Sequence, residues 1–241
     1  DGHAEALVRA TVYGGGFVFG RNLGTWGQVR AGVVRGVVDA GIEIGPEDEA
    51  PPQLDLARFD LELRFDTVDD VNWPSRGEFA NIAWRREVDE LGGDTDGGTL
   101  RTNLDGAFAL GRFRILPGAE AAVVVNDEEG FDTGTTLGGL FRLSGYPPFE
   151  LIGRESVLGR VVAYRRMNRR VIPKLPAGLY VGLSIEAGNV WMNRDDMSFD
   201  DLRKDASIYF GVDTPLGPVY LATGFDEGGE KAFYLFLGRT F

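Results

Sequence analysis

Lys231-Ala-Phe-Tyr-Leu-Phe-Leu-Gly-Arg-Thr-Phe241 ends the chain on an aromatic residue and is the stretch that decides the fold class. Phe233, Leu235 and Leu237 fall on one face of an extended strand that ends at Phe241. A soluble domain seldom orders its last residue, because chain termini fray. The last strand of an outer-membrane barrel must be ordered, since an unpaired strand edge is not tolerated in lipid. For this segment alone, a core strand of a soluble β protein is the alternative.

Composition narrows the class further. The chain has 241 residues, 35 of them glycine, a net charge of −12, no cysteine and one histidine. It contains no run of about 18 apolar residues, so no transmembrane helix is predicted, whereas a membrane strand needs apolar residues only at alternate positions. The negative charge argues against nucleic acid as a partner. With one histidine in a terminal segment, we expect no metal site, no cofactor and no histidine-based catalysis.

Arg58-Phe-Asp-Leu-Glu-Leu-Arg-Phe-Asp66 shows the clearest alternation in the chain. Every odd position is Phe or Leu, and every even position is charged. A row of charges on one face needs water or partners, and a wet lumen behind a lipid-facing wall supplies both. A soluble sheet with one solvated face would give the same pattern.

The whole chain predicts an all-β fold, an antiparallel up-and-down transmembrane β-barrel of about 12 strands without a helix of useful length. The seventh strand is predicted at Thr135–Leu143. With a periplasmic C-terminus, strand parity places residues 67–76, 144–155, 189–203 and 226–230 outside the cell and the turn Thr214–Gly217 in the periplasm. The four tryptophans near predicted strand ends suit interfacial girdles: Trp26, Trp73, Trp84 and Trp191.

Three stretches together resemble the BamA/TamA-type barrels of the bacterial surface antigen superfamily. Asp66-x-x-Asp69-Asp70-x-x-x-Pro74-x-x-Gly77 is similar to a loop between two central strands of those barrels. Phe141-Arg-Leu-Ser-Gly-Tyr146 resembles their lid loop, which folds into the lumen, and Ser184-Ile-Glu-Ala-Gly188 resembles the strand that holds the lid. The resemblance implies bacterial outer-membrane localisation, insertion by the barrel-assembly machinery and contact with outer-membrane lipid.

The resemblance also implies the site residues. The lid loop would be Arg142, Leu143, Ser144, Gly145 and Tyr146, the partner strand Ser184, Glu186 and Gly188, and the C-terminal strand signal Phe233, Leu235, Leu237 and Phe241. Ser144 stands where the family usually has Arg, and Glu186 stands for Asp. Arg142 is therefore a candidate partner of Glu186; the alternative is that both are solvated lumen residues.

Three further details are the Leu143-Ser-Gly-Tyr146 form of the lid, the strand Leu183-Ser-Ile-Glu-Ala-Gly-Asn-Val-Trp191 and the hairpin Thr214-Pro-Leu-Gly-Pro-Val-Tyr-Leu221. On these, within the superfamily, the chain most resembles the translocator barrel of PlpD-type patatin-like proteins. This likeness implies that residues 1–241 form a single barrel domain, the C-terminal part of a longer precursor with a secreted phospholipase upstream. The Gly-x-Ser-x-Gly elbow of patatin chemistry is absent, so the chain itself is predicted not to be an enzyme. Barrels of the type it resembles usually have about sixteen strands, so either four strands are missing before the first strand of this sequence or the barrel closes with about twelve, an even number that bacterial barrels allow. We expect the last strand to close on Leu7–Phe19, with a homodimer of two open chains as the alternative.

The leading functional hypothesis is thus a translocator or anchor for a patatin-like passenger, with the lumen closed by an inward lid. A passive or substrate-selective outer-membrane channel is a second hypothesis. A soluble β domain that binds a partner is the third.

Overall fold

The computed structural model describes residues 7–44, 53–125, 134–167 and 178–238, and in these ranges the protein is almost entirely β-strand. Its strands are β1 (Leu7–Leu23), β2 (Gly27–Ile44), β3 (Leu54–Asp66), β4 (Gly77–Glu87), β5 (Gly98–Leu110), β6 (Phe113–Val124), β7 (Thr135–Leu137), β8 (Leu151–Gly153), β9 (Glu155–Met167), β10 (Leu179–Trp191), β11 (Arg203–Thr214), β12 (Gly217–Phe225) and β13 (Lys231–Leu237). Three short 3-10 turns complete it, at Asp89–Leu91, Arg194–Asp196 and Phe199–Asp201. None of the helical segments in the described ranges is long and apolar enough to cross a membrane.

Eleven strands form one antiparallel sheet in the order β1-β2-β3-β4-β5-β6-β9-β10-β11-β12-β13, and β7 pairs only with β8. The all-β, up-and-down prediction is confirmed. The predicted seventh wall strand, Thr135–Leu143, is wrong. Only Thr135–Leu137 is extended, and Phe141 and Leu143 have left-handed backbone angles, with φ of 64° and 68°. Leu137, Phe141 and Leu143 are apolar because they are buried inside the sheet. Apolar residues at alternate positions give the same sequence pattern as a wall strand.

The inward face of the first half of the sheet is charged. Asp60 on β3 pairs with Arg58 at 3.0 Å and with Arg85 of β4 at 3.6 Å. Opposite-charge neighbours across a ladder stabilise the pairing. The alternation of the β3 sequence is thus realised as a polar inner wall.

The outward face carries an apolar belt. On β10 and β11 the outward positions Leu183, Ile185, Ile208 and Phe210 are exposed, and Leu221 continues them on β12. An exposed apolar belt that continues across successive strands is typical of a lipid-facing barrel wall. In the C-terminal strand signal, Phe233, Leu235 and Leu237 lie on this face with exposed fractions of 78%, 81% and 56%; Phe241 lies outside the described residues.

The two ends of the sheet differ in their connections. One end, called here the short-turn end, carries the tight turns at residues 24–26, 111–112 and 215–216. The opposite, long-loop end carries residues 88–97, 192–202 and 226–230 and the segment between β6 and β9. Residues 67–76 lie at the short-turn end, opposite to 226–230, so the prediction that both face the same side is wrong. The prediction counts Thr135–Leu143 as a wall strand. This one extra strand reverses the side of the membrane assigned to every loop before it.

The edge strands β1 and β13 run in the same direction, both from the long-loop end to the short-turn end, because the sheet has an odd number of strands. No pairing joins them in the described residues. The expected closure of the last strand on Leu7–Phe19 is not seen in the described residues, and a pairing of these two strands would be parallel because they run in the same direction.

Candidate functional site

The segment between β7 and β8, residues 138–150, folds back inside the sheet and is called here the lid. Its compact turn is fixed by its own backbone: Arg142 donates to the carbonyl of Gly139, and Gly138 and Gly139 donate to those of Arg142 and Tyr146. Leu143 is fully buried against Leu137 and Leu158. Burying an unpaired backbone N–H or C=O group costs free energy. Because the backbone groups of this turn hydrogen-bond to one another, the irregular segment can fill the lumen.

The lid tip is held by two carboxylates on adjacent strands. Ser144 donates its backbone N–H to Glu186 Oε2 at 2.6 Å and its hydroxyl to Oε1 at 2.7 Å. Gly145 donates its backbone N–H to Asp205 Oδ2 at 2.6 Å. Glu186 of β10 and Asp205 of β11 are cross-strand partners, and like charges facing each other repel. The lid supplies charge-assisted hydrogen bonds that offset this repulsion.

Two serines extend the network below Glu186. Ser184 donates its hydroxyl to Glu186 and shares a 2.6 Å hydrogen bond with Ser207. The structure thus brings Ser144, Ser184 and Glu186 together. Gly188 lies elsewhere, packed on Leu158, where a Cβ would come within 2.6 Å of the Val157 carbonyl oxygen.

Arg142 is not part of this network. Its Nε donates to Glu120 Oε2 on β6 at 2.9 Å, and its Nη2 donates to the Thr136 carbonyl at 3.2 Å. The hypothesis that Arg142 pairs with Glu186 is wrong, because the Arg142 guanidinium is bound to Glu120 and Thr136 and the Glu186 oxygens accept from Ser144 instead.

Arg160 on β9 is a site residue that the sequence analysis missed. It is buried and donates to Asp105 at 2.8 Å and to Glu120 at 2.9 Å. A glycine at position 118 makes the ion pair possible, since a Cβ there would lie 2.4 Å from Asp105 Oδ1 and 2.7 Å from Arg160 Nε. Glu120 therefore ties Arg160 of the wall to Arg142 of the lid. The sequence does contain a signal for this site: Arg160 shares the inward face of β9 with Leu158, Val162 and Tyr164.

Tyr234 on β13 is a second residue that was missed. Its hydroxyl lies 2.8 Å from the carbonyl oxygen of Ser144 and 2.7 Å from that of Tyr146, so its one proton is shared between the two acceptors. Arg203 binds the other side of Tyr146, with a hydrogen bond of 2.7 Å to the phenol oxygen and its guanidinium over the ring. The last strand thus contributes directly to holding the lid.

A second insert enters from the opposite end. Residues 67–76, called here the plug, are shaped by aspartates: Asp69 accepts from Ser75 and Arg76, and Asp70 accepts from the backbone of Asn72 and Trp73. These bonds give the Asp66-x-x-Asp69-Asp70 pattern its physical reason. Although partial desolvation acts in the opposite direction, the hydrogen bonds from Ser75 and Arg76 hold the pKa of Asp69 below its ordinary value.

Trp73 anchors the plug inside the sheet. It is 6% exposed and stacks on Tyr180, with ring centroids 3.7 Å apart and planes inclined by 8°. Tyr164 donates its hydroxyl to the Pro74 carbonyl at 2.5 Å. Gly211 leaves the space for the indole, because a Cβ there would lie 2.2 Å from a ring carbon. Trp73 therefore belongs to the interior, and its assignment to an interfacial girdle is wrong.

The lid and the plug meet at Tyr220. The centroid of this ring lies 5.3 Å from that of Trp73 and 6.1 Å from that of the lid residue Phe141, and all three are buried. The two inserts thus occupy the inner side of β9–β12 from opposite ends. A cavity of about 410 Å³ remains beside them, lined by Arg64, Asp66, Phe79, Asp105, Glu120 and Arg142 among others.

Comparison with known proteins agrees with this architecture. The Omp85 superfamily domain matches residues 11–241, and no curated protein sequence matches the chain. Among solved structures, the chain is similar to BamA from Haemophilus ducreyi lacking POTRA domains 1–3, with a TM-score of 0.78 and 14% sequence identity. The alignment covers 95% of this chain and 54% of the BamA chain, so this chain spans about half of that protein's length. With a lidded, antiparallel sheet and a domain match over nearly its whole length, the chain belongs to the Omp85 superfamily.

Proposed function

We propose that the chain is an outer-membrane translocator or anchor, a single barrel domain over residues 1–241, whose lumen is closed by the lid and which carries a patatin-like passenger fused upstream. The observation that supports this most is the lid tip, bound by Glu186, Asp205 and Tyr234 from three successive wall strands. The chain is not an enzyme: the Omp85 barrel is a non-enzymatic transport and assembly fold.

The apolar outward belt supports the outer-membrane assignment, since such a surface is stable only against lipid. It also disfavours the soluble β domain. Short turns face the periplasm in bacterial barrels, so the lid would enter from the cell exterior and the plug from the periplasm. Barrel-assembly machinery would insert the chain, with Phe233, Leu235, Leu237 and Phe241 as the C-terminal signal.

The passenger and the PlpD-type relationship rest on sequence likeness in the lid, in Ser184-Ile-Glu-Ala-Gly188 and in Thr214-Pro-Leu-Gly217. With the lid and plug in place, the inner side of β9–β12 is filled by buried aromatic side chains. A folded phospholipase cannot pass such a lumen, so export requires either lid movement or passage at the free sheet edges. Those same edges, β1 and β13, would be the contacts of a homodimer.

A channel is the second candidate function. The cavity beside the inserts, with its charged wall, is the observation that favours it. Conductance in a planar bilayer that persists without any passenger would support the channel.

A cysteine lock tests whether the lid takes part in export. The chain has no cysteine. A Cβ built on Gly145 lies 2.6 Å from Cβ of Asp226 but also 2.5 and 2.8 Å from its backbone N and Cα, so a disulfide requires the two segments to separate by about 1 Å. In cells that display the passenger, oxidised Gly145→Cys/Asp226→Cys should block surface exposure of the passenger to protease, and reductant should restore it. Each single cysteine variant is the control.

If the wild-type protein never brings its passenger to the cell surface, the translocator proposal is wrong. If the locked variant exports normally, the lid is a fixed structural element and export proceeds elsewhere.

A further inference from the structure

A pocket of about 640 Å³ at the short-turn end is separate from the lid site. It lies between the plug, the β5–β6 turn and the adjoining ends of β9 and β10. Three aromatic side chains, Trp73, Tyr164 and Tyr180, line it, and they pack on one another with ring centroids 3.7 to 5.7 Å apart. The pocket therefore has a rigid aromatic wall that is held in place by the plug.

The rest of the lining is strongly basic. It includes Arg112, Arg114 and Arg166, together with Arg165 at the rim, which follows the outward positions Val161 and Ala163 of β9. None of these four has an ion pair in the described part of the chain; Arg114 donates instead to the carbonyls of Gly111 and Phe113. The lumenal arginines contrast with them, since Arg58, Arg64, Arg142 and Arg160 are all paired with carboxylates.

Two acidic groups near the pocket, Asp70 and Asp213, offset only part of this positive charge. Asp70 lines the pocket, and its Oδ1 accepts from the backbone of Asn72 and Trp73. Asp213 acts on Tyr180 electrostatically, as does Arg166. The lining therefore has more arginine than carboxylate, in a chain that has 37 acidic residues and a net charge of −12. Uncompensated arginines around a cavity favour an anionic ligand.

The indole of Trp73 provides a further donor in this region. Its Nε1 is buried and has no hydrogen-bond partner among the described residues. A buried donor without a partner costs about 1–3 kcal/mol. A carboxylate that reached this nitrogen would remove that cost.

We propose that this pocket binds an acidic segment of polypeptide that approaches the lumen from the short-turn end. Arginines would bind the Asp or Glu side chains, and the aromatic wall would take the apolar side chains between them. The aromatic wall faces inward, away from the lipid-facing belt, which disfavours a phospholipid headgroup as the occupant. The proposal rests on the proposed function, because it makes the pocket the first contact of the passenger or its linker.

Peptide binding to the purified full-length protein in zwitterionic detergent tests the proposal. The probe is a fluorescent peptide that alternates Asp or Glu with Phe or Leu, compared with the same peptide carrying Asn and Gln. We expect the acidic peptide to bind at least about tenfold more tightly, with an affinity that falls as salt rises. Arg166→Glu should remove this preference, and Arg166→Lys should retain much of it.

Arg21→Glu is the matched control, because Arg21 lies near the same end on exposed β1 and the charge change is identical. Heat-modifiable migration on gels shows that each variant is folded. Equal binding of acidic and neutral peptides, or unchanged binding by Arg166→Glu, would overturn the proposal. So would nanodisc binding that requires phosphatidylglycerol and Arg166 while the peptide fails to bind. Because this assay involves no export, a barrel that binds the peptide but exports nothing contradicts only the translocator function.

Discussion

Ser144 and Glu186 form a two-point contact in which one residue supplies both donors and the other both acceptors, at 2.6 and 2.7 Å. The contact replaces the arginine–carboxylate pair that the family resemblance implies. A serine carries no charge, so this contact itself brings no cation to Glu186. Its backbone donor is also retained in every substitution except proline.

Glu186→Gln should weaken the lid more than Ser144→Ala. The amide loses the charge that strengthens three hydrogen bonds. Ser144→Ala removes one donor to Glu186 and the acceptor of the Phe141 N–H, but it leaves the Ser144 backbone N–H in place. We expect losses of about 1–3 kcal/mol in the free energy of unfolding, larger for Glu186→Gln. Urea unfolding in detergent measures both. Ser198→Ala in the exposed 192–202 loop is the control, and equal effects of all three variants would contradict the assignment.

Arg160→Met should destabilise the barrel by about 3–5 kcal/mol, because Asp105 loses its ion pair in a buried site. Glu120 keeps Arg142, so it is less affected. Adding Asp105→Asn should restore part of the loss. The measurement is a double-mutant cycle by urea unfolding. Strictly additive effects of Arg160→Met and Asp105→Asn would show that the pair contributes nothing.

Gly211→Ala should displace the plug, since the new Cβ would lie 2.2 Å from the Trp73 ring. We expect red-shifted tryptophan emission and faster acrylamide quenching. Trp73→Leu in the same chain should relieve the clash, as judged by recovery of the heat-modifiable band. Gly159→Ala is the matched control, because the nearest atom to its Cβ is the Ala187 carbonyl oxygen at 3.9 Å. A similar red shift in both glycine variants would contradict a specific clash.

The plug should loosen at low pH. The pKa of Asp69 is lower in the folded protein than its ordinary value of 3.8. Its contribution to stability is therefore complete above that ordinary value and is lost as pH falls through the lower, folded pKa. Trp73 quenching followed between pH 5 and pH 2 tests this, with Asp69→Asn as comparison. If Asp69→Asn shows the same acid transition as the wild type, the transition arises from another group and the prediction is wrong.

Tyr234→Phe should loosen the lid tip while leaving the wall intact. The phenol oxygen bonds two lid carbonyls, and its loss should cost about 1 kcal/mol. Hydrogen exchange of the Gly145 amide measures the effect directly. Tyr13→Phe on exposed β1 is the control. Unchanged exchange at Gly145 would show that Tyr234 does not restrain the lid.

The wall could be predicted from sequence because lipid and lumen impose a strict two-residue alternation, as in Phe59–Phe65 of β3. The inserts could not, because residues buried inside a lumen meet apolar surroundings whatever their backbone shape. For this reason the sequence of Thr135–Leu143 has the pattern of a strand, and Trp73 is assigned from sequence to an interfacial girdle. The carboxylate Glu186 and the lid residues could be identified from family resemblance. Their partners Tyr234 and Asp205 could not, because strand register across the sheet is not visible in one sequence.

The filling of the lumen is lopsided. Both inserts press against β9–β12, whereas residues 12–20 of β1 are exposed on both faces. The strands that pack against the inserts, β9–β12, should therefore be mechanically stiffer than β1. Any opening that a polypeptide needs would then begin with movement of β1, while β9–β12 stay in place.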